Sequence, residues 1–289
     1  MKREEIVQKV TEYFISSDHW RRLLASLQDP DPEGTHIHIY VDTCVHPTSL
    51  ETIIKSYMEF RGWPLTRKID YMSPRPGMGS LHGVEPKGKP HFDFQWFFNE
   101  NVPLAPATEG EGGCNLLVWN RWYIEEFYRG FKFRKFGAAE RKKLQEYFKS
   151  SHFEKGLEIV VHPETTHMHI NVETSVHPDQ IAKFALKALE KRGWKVDYVC
   201  PNVYLVKGQY RGKLVFMCRE PEKVFDIGWH YNKDVIIEPT KDVWIFSDNI
   251  GYDIWTTKML EEVMKQPYIT LDASEIKTIL DAIKASLSG

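Results

Sequence analysis

The chain has 289 residues, of which 42% are hydrophobic and 27% charged, so it can bury one large core or two ordinary ones. Its formal net charge of -2 gives no whole-chain signal for nucleic acid or for an acidic membrane surface. The charged N-terminus and the lack of a long apolar run argue against a signal peptide and a membrane span, so we expect a cytoplasmic protein. The scattered cysteines, without a C-x-x-C pair, are typical of reduced thiols.

One pattern occurs twice in the chain. Residues 35–47 match residues 166–178 without a gap, and both runs begin Thr-His-x-His and end Val-His-Pro. Each run is followed by apolar residues three or four positions apart and then by Arg-Gly-Trp, which predicts an amphipathic helix that ends at a glycine. Farther on, both copies contain Phe-Asp followed by a tryptophan, Trp96 or Trp229, which we expect in the core. We interpret the chain as an internal tandem duplication.

Each copy is predicted to read helix, strand, strand, helix, strand, strand. Residues 156–161 supply the predicted strand just before the His-x-His strand of the second copy. Counted from the His-x-His strand, the order is β-α-β-β-α-β, which is the ferredoxin-like arrangement. We therefore expect an α+β protein, a tandem duplication of a ferredoxin-like (βαββαβ-type) module with pseudo-two-fold symmetry. Residues 1–150 would form the first repeat and residues 151–289 the second, either as separate domains or as one continuous unit.

The His-x-His strand of the first copy alternates apolar and polar residues, so His36, His38 and Asp42 share the face opposite the core. Two imidazoles on one strand, with a carboxylate four positions further, are a candidate 2-His-1-carboxylate metal site for Fe(II) or Zn(II). The alternative is a merely solvated polar face. Because the pattern is kept in both copies, we predict metal ligation by His36, His38, Asp42, His167, His169 and Glu173.

Four further polar positions are repeated. His46 and His177 each precede a proline at the start of a predicted helix, and we interpret them as helix-entry residues. Asp93 and Asp226 lie on predicted strands and are either buried polar anchors or partners that orient a metal-bound histidine. The sequence leaves these two roles open.

The places equivalent to His82, His91 and His162 in the other copy hold no histidine. Their asymmetry suggests that residues 35–165 form the working half and that the second copy is a scaffold. A histidine near its ordinary pKa can move protons at neutral pH. We therefore predict His82, His91 and His162 as catalytic residues acting on a small-molecule substrate.

Three segments of the chain resemble pieces of the small DOPA 4,5-dioxygenase-type ring-cleavage family: residues 36–42, residues 82–95 and residues 156–165. They stand in the family's order: its first strand, its histidine-rich turn with the strand after it, and its last strand ending His-Pro-x-Thr. The resemblance implies a ferredoxin-like fold and a non-heme iron dioxygenase acting on a catecholic substrate. It also implies ferrous iron on His36 and His38, with Asp42 or His162 as third ligand. The chain departs from the family in its spacing, with a large insertion at residues 103–136.

Other functions account for the same residues. A metal-free phosphodiesterase of the two-histidine kind, acting on a nucleotide or an RNA end, would explain the duplication, and activity in the presence of a chelator would identify it. A vicinal-oxygen-chelate metalloenzyme is built from paired β-α-β-β-β units and would hold its metal between the halves. A non-enzymatic binding module would lose affinity rather than turnover on substitution of His36 and His38. A cupin is excluded by the helix predicted at residues 50–60.

Overall fold

The chain is an α+β protein, as predicted, and divides into two compact units. The computed structural model describes residues 1–27, 36–62, 71–72, 78–83, 91–108, 116–206, 209–241 and 251–288. The first unit is Met1–Val118 with Met259–Gly289, and the second unit is Trp119–Lys258. Residues 259–289 therefore group with residues 1–118. The predicted division at residue 150 does not include this grouping.

Helices flank a sheet in each unit. Among the described residues the helices are α1 (Arg3–Ser16), α2 (Asp18–Leu27), α3 (Pro47–Phe60), α4 (Arg121–Arg129), α5 (Ala138–Tyr147), α6 (Ser151–Val161), α7 (Pro178–Lys191), α8 (Thr257–Val263) and α9 (Ala273–Ser288). The strands are β1 (His36–Thr43), β2 (Tyr71–Met72), β3 (Met78–Gly83), β4 (His91–Phe98), β5 (Ala105–Pro106), β6 (Leu116–Trp119), β7 (Thr165–Thr174), β8 (Lys195–Val206), β9 (Gln209–Glu220), β10 (Glu222–Tyr231), β11 (Ile237–Pro239) and β12 (Tyr252–Thr256).

The sheet of the first unit has the order β2-β3-β4-β1-β5, with β6 also paired to β1. β1 is parallel to β4, whereas β2, β3 and β4 form antiparallel neighbours. Ile37, Ile39 and Val41 are fully buried, which confirms the predicted core face of β1. α9 packs on α1 and α3 and adds Ile279 and Ile283 to this core.

The sheet of the second unit has the same order, β8-β9-β10-β7-β11, with β12 also paired to β7. β7 is parallel to β10, and β8, β9 and β10 are antiparallel neighbours. A single residue separates β9 from β10, so the second helix of the predicted β-α-β-β-α-β order does not lie between them. Counted from β7, the described part of this unit reads strand, helix and the three strands β8, β9 and β10, followed by the short strands β11 and β12.

The strand predicted at residues 156–161 is wrong, because these residues belong to α6. The Ser150 side chain accepts a hydrogen bond from Phe153 N and caps the helix. Phe153, Leu157 and Val160 are spaced three or four apart and are buried, so the helical period outweighs the strand propensity of the β-branched residues at its end. Gly156 faces Ile170 of β7, where a Cβ would be 2.9 Å from the Ile170 side chain.

The two predicted amphipathic helices are confirmed as α3 and α7. Their N-caps are His46 and His177, whose side chains accept hydrogen bonds from the Thr48 and Asp179 backbone amides. This confirms the helix-entry interpretation of both histidines. Each helix is followed by a glycine at φ 77° (Gly62 and Gly193), a left-handed conformation that favours glycine.

A glycine and a tryptophan lie opposite each other in both sheets. Gly79 of β3 pairs with Trp96 of β4, and Gly212 of β9 pairs with Trp229 of β10. In both pairs the indole ring occupies the place that a Cβ on the glycine would need. Both tryptophans are fully buried, as predicted. Glycine at these positions therefore lets a large ring lie flat against the neighbouring strand.

Candidate metal centre

The candidate site lies on the second sheet, where β7 and β10 run in parallel. In their register His169 is directly opposite Asp226. Opposite residues in a ladder project to the same face, and His167, two positions earlier on β7, returns to that face. Three potential ligands therefore come together from only two strands.

Both imidazoles point at one carboxylate oxygen. His167 Nε2 is 3.3 Å and His169 Nε2 is 3.1 Å from Asp226 Oδ2. The ring centroids of the two histidines are 5.0 Å apart, with the planes at 84°. One ligand atom from each residue lies within 4.8 Å of the other two.

These separations fit a bound transition-metal ion. Bonds of about 2.0–2.2 Å with angles of about 90–109° put neighbouring ligand atoms about 3.0–3.4 Å apart. The measured separations of 3.3 and 3.1 Å fall inside that interval. Two imidazole nitrogens and one carboxylate oxygen also have the chemistry that Zn(II) and Fe(II) accept. The donor set and these two separations therefore fit a divalent ion.

The three groups are almost completely buried, at 1% exposure for His167, 6% for His169 and 2% for Asp226. Burial alone would raise the pKa of the Asp226 carboxyl, but His167, His169 and Lys213 outweigh it and hold that pKa well below its ordinary value. Asp226 therefore stays a carboxylate. Its second oxygen, Oδ1, is buried and has no hydrogen-bond partner among the described residues.

β12 pairs with the edge of β7 that does not pair with β10. Its Trp255 is opposite His167, and its Asp253 is opposite His169. The Trp255 ring lies 4.7 Å from the His169 ring and 5.6 Å from the His167 ring, measured between centroids. An indole at these distances shields the two imidazoles from water on the side of β12.

Asp253 is a second buried carboxyl beside the site. Burial raises its pKa to about 6, although a hydrogen bond from Asn171 and the charges of Lys213 and Arg211 act in the opposite direction. The Asn171 Nδ2 atom donates to Asp253 Oδ2 over 2.8 Å. A carboxyl with a pKa of about 6 can take up or release a proton near neutral pH.

A lysine approaches the cluster from β9. Lys213 Nζ is 3.9 Å from Asp226 Oδ2, the oxygen that both histidines face. The Lys213 backbone amide donates to Asn202 Oδ1 of β8, so the strand is held at this position. The site thus combines two imidazoles, a carboxylate and a cationic side chain on one face of the sheet.

The acids predicted as third ligands contact other groups. Glu173 accepts a hydrogen bond from Asn232 Nδ2 at 2.6 Å, and Asp42 Oδ2 accepts from the Thr108 amide and hydroxyl at 3.4 Å. Four residues along a strand span about 13 Å, whereas neighbouring strands are only about 5 Å apart. The carboxylate that joins the histidines therefore comes from the next strand, as Asp226.

The first unit contains a related pair. His38 Nε2 is 2.8 Å from Asp93 Oδ2, and both side chains are buried. His38 Nδ1 is 2.9 Å from the Tyr40 hydroxyl and 3.3 Å from Gln95 Nε2, so the ring is held at both nitrogens. In both units, then, a strand histidine contacts the carboxylate opposite it.

Three other predicted residues are placed only by their backbones. In the first sheet His36 is opposite His91, and His82 is opposite Asp93. The side chains of these three histidines lie outside the described part of the chain, so their predicted roles stay predictions.

His162, predicted as catalytic, is the C-cap of α6 and is exposed. Its Nδ1 atom accepts a hydrogen bond from the Glu164 amide at 3.3 Å. This contact lies in the turn directly after α6.

Sequence reasoning missed Lys213, Trp255 and Asp253 as parts of the site. Asp226 was singled out by its repetition, but as an anchor or an orienting partner and not as a ligand. The available signal was the alternation of the Phe-Asp strand, which places Asp226 on the face opposite Phe225. The other three depend on which strands become neighbours.

Comparison with known proteins adds no assignment: no protein-family model and no curated protein matches the chain. Among the described residues, no helix is both long and apolar enough to cross a membrane. Cys44 and Cys218 are buried.

Proposed function

We propose that the protein is a metal-dependent enzyme whose second unit binds a divalent transition-metal ion through His167, His169 and Asp226. The observation that carries the proposal is the convergence of two imidazole nitrogens on one buried carboxylate oxygen, at 3.3 and 3.1 Å. Two neutral nitrogens and one anionic oxygen form the 2-His-1-carboxylate set, which leaves coordination positions open for a substrate. The metal would be Fe(II) or Zn(II), since both accept these ligands.

The surrounding residues suit such a centre. A bound divalent ion supplies Lewis acidity or, as ferrous iron, redox chemistry. Trp255 excludes water from one side of the imidazoles, at centroid distances of 4.7 and 5.6 Å. Asn171 holds the Asp253 carboxyl beside the site through a hydrogen bond of 2.8 Å. Positioned carboxyl and ammonium groups next to open coordination positions bind and orient a polar substrate.

The reaction proposed is oxygenation of a small aromatic, catecholic substrate by the ferrous form. Its support is the ligand set, which is that of non-heme iron oxygenases, and the indole wall of Trp255. Oxygen consumption with catechol by Fe(II)-loaded protein, against Zn(II)-loaded protein, tests it. Equal consumption by the two forms would contradict the proposed oxygenation.

The metal site itself is tested by titrating metal-free protein with Co(II) and following the visible ligand-field bands. We expect one ion per chain in the wild type. His169→Ala and Asp226→Asn should each weaken binding about 100-fold or more, because loss of a ligand costs more than loss of a residue that only orients one.

Glu173→Gln is the matched control, since Glu173 is an acid on the same strand that contacts Asn232 instead. Its Co(II) affinity should equal that of the wild type. The proposal fails if the wild type binds no Co(II), or if Glu173→Gln weakens binding as much as Asp226→Asn does.

The pair of His38 and Asp93 favours a second candidate, metal-free phosphodiester hydrolysis. An imidazole held by a buried carboxylate at 2.8 Å is suited to general acid–base catalysis. Hydrolysis of a cyclic nucleotide that persists with chelator and is lost in His38→Ala would support this candidate. Hydrolysis lost with chelator would contradict it.

We also propose that the two units are copies of one duplicated module. The support is their common strand order and a set of equivalent contacts. Tyr13 is hydrogen-bonded to His19 Nδ1 at 2.8 Å in the first unit, and Tyr147 to His152 Nδ1 at 3.2 Å in the second. In both units this pair joins successive helices that precede the His-x-His strand.

A further inference from the structure

We infer that the β9 side of the metal centre binds a small oxyanion, such as a carboxylate, and that Lys213 recognises its charge. The inference rests on the proposed metal site and names the class of ligand that completes it. Lys213 Nζ lies 3.9 Å from Asp226 Oδ2, the oxygen on which His167 and His169 converge. An anion bound to the ion from this side would therefore be within reach of the ammonium group.

Solvent exposure indicates the direction of approach. The side chains of His167, His169 and Asp226 are 0%, 8% and 3% exposed, whereas that of Lys213 is 20% exposed. Trp255 closes the side formed by β12, with 8% exposure. Of the groups that contact the Asp226 carboxylate, Lys213 is thus the most accessible from solvent.

The charges of the loaded site favour an anion. A divalent ion on two neutral imidazoles and one carboxylate retains one net positive charge. Lys213 and Arg211, two residues apart on β9, add two more, and both act on Asp253. Asp253 offsets at most one of these charges. Glu173 lies farther along β7 and is held by Asn232.

A cation beside a metal ion recognises a ligand with two oxygen atoms. One oxygen binds the ion, and another accepts a charge-assisted hydrogen bond from the lysine. Glycolate is a suitable probe, because its hydroxyl and carboxylate can occupy both places. Glycolamide has the same size and lacks the charge.

The test uses the full-length protein loaded with Co(II), whose visible bands report changes in coordination, titrated with glycolate and with glycolamide. We expect the wild type to bind glycolate about tenfold or more tightly than glycolamide. Lys213→Gln should remove this preference, and Lys213→Arg should keep most of it. Lys195→Gln is the matched control, because Lys195 of β8 pairs with Glu220. It should behave as the wild type does.

The Co(II) affinity of Lys213→Gln separates this role from simple neutralisation of Asp226. Loss of a positive charge near the ion should leave that affinity unchanged or higher, while glycolate binding weakens. Equal glycolate affinity in the wild type and Lys213→Gln, both with Co(II) bound, would overturn the inference and leave the metal proposal standing. Absence of Co(II) bands in the wild type would overturn both. If Lys213→Gln does not fold, equal affinities for glycolate and glycolamide in the wild type and Lys213→Arg would overturn the inference.

Discussion

Asp226 Oδ2 lies 3.1 Å from Nε2 of His169, the residue directly opposite it in the parallel register of β10 and β7. The candidate site therefore exists only when these two strands are paired in this register. A slip by one residue would send every side chain of one strand to the opposite face. The three side chains therefore come together only when the sheet forms.

Asp226→Ala should lower the free energy of unfolding of the metal-free protein by about 3 kcal/mol, because removal of one partner leaves the others buried without their counter-charge. Urea denaturation measures this loss. Asp234→Ala is the control, since Asp234 is exposed in the turn after β10, and it should cost less than about 0.5 kcal/mol. Equal losses in the two variants would show that Asp226 contributes no more than a surface residue.

Gly228 of β10 is opposite Asn171 of β7, and a Cβ on Gly228 would overlap the Asn171 side-chain oxygen. Gly228→Ala should displace Asn171, break its hydrogen bond to Asp253 and cost about 1–2 kcal/mol. In the background of Asn171→Ala the same change should cost much less. A double-mutant cycle by urea denaturation measures this coupling. Additive effects would contradict the proposed overlap.

Features that depend on local pattern were predictable. The alternation in β1 and β7, the apolar spacing of α3 and α7, and the glycines after those helices all follow from contacts within a few residues. α6 was not predicted, because the β-branched residues at its C-terminal end suggested a strand. Ser150 as N-cap and the helical spacing of the apolar residues decided for a helix.

The candidate site was predictable only for the part that lies on one strand. His167 and His169 follow from the alternation, but their carboxylate was expected on β7 as Glu173 and comes from β10 as Asp226. The choice depends on which strand pairs with β7 and in which register. Trp255 is likewise brought in by β12, far along the chain. Such neighbours are set by tertiary packing.

Gly212→Ala should destabilise the protein by about 1–3 kcal/mol, because its Cβ would overlap the fully buried ring of Trp229. Gly79→Ala should act in the same way through Trp96. The control is Gly130→Ala at the end of α4, where the nearest atom to a Cβ is 3.3 Å away. Thermal unfolding measures all three. A Gly130→Ala variant as unstable as the other two would argue against a specific clash.

The N-cap of α3 should make stability depend on pH. Burial lowers the pKa of His46 below 6.5, and its Nδ1 atom accepts a hydrogen bond from the Thr48 amide only while it is unprotonated. A group whose pKa is lower in the folded state stabilises the fold above its unfolded pKa, and this contribution is lost as the pH falls. His46→Asn keeps a capping acceptor and cannot titrate in this range. The melting temperature of the wild type, relative to that of His46→Asn, should therefore fall as the pH is lowered from about 8 to about 5.

Burial also lowers the pKa of His177, the N-cap of α7, so the comparison of wild type with His177→Asn should show the same trend. A difference between wild type and variant that stays constant across this range would rule out the neutral imidazole as the cap.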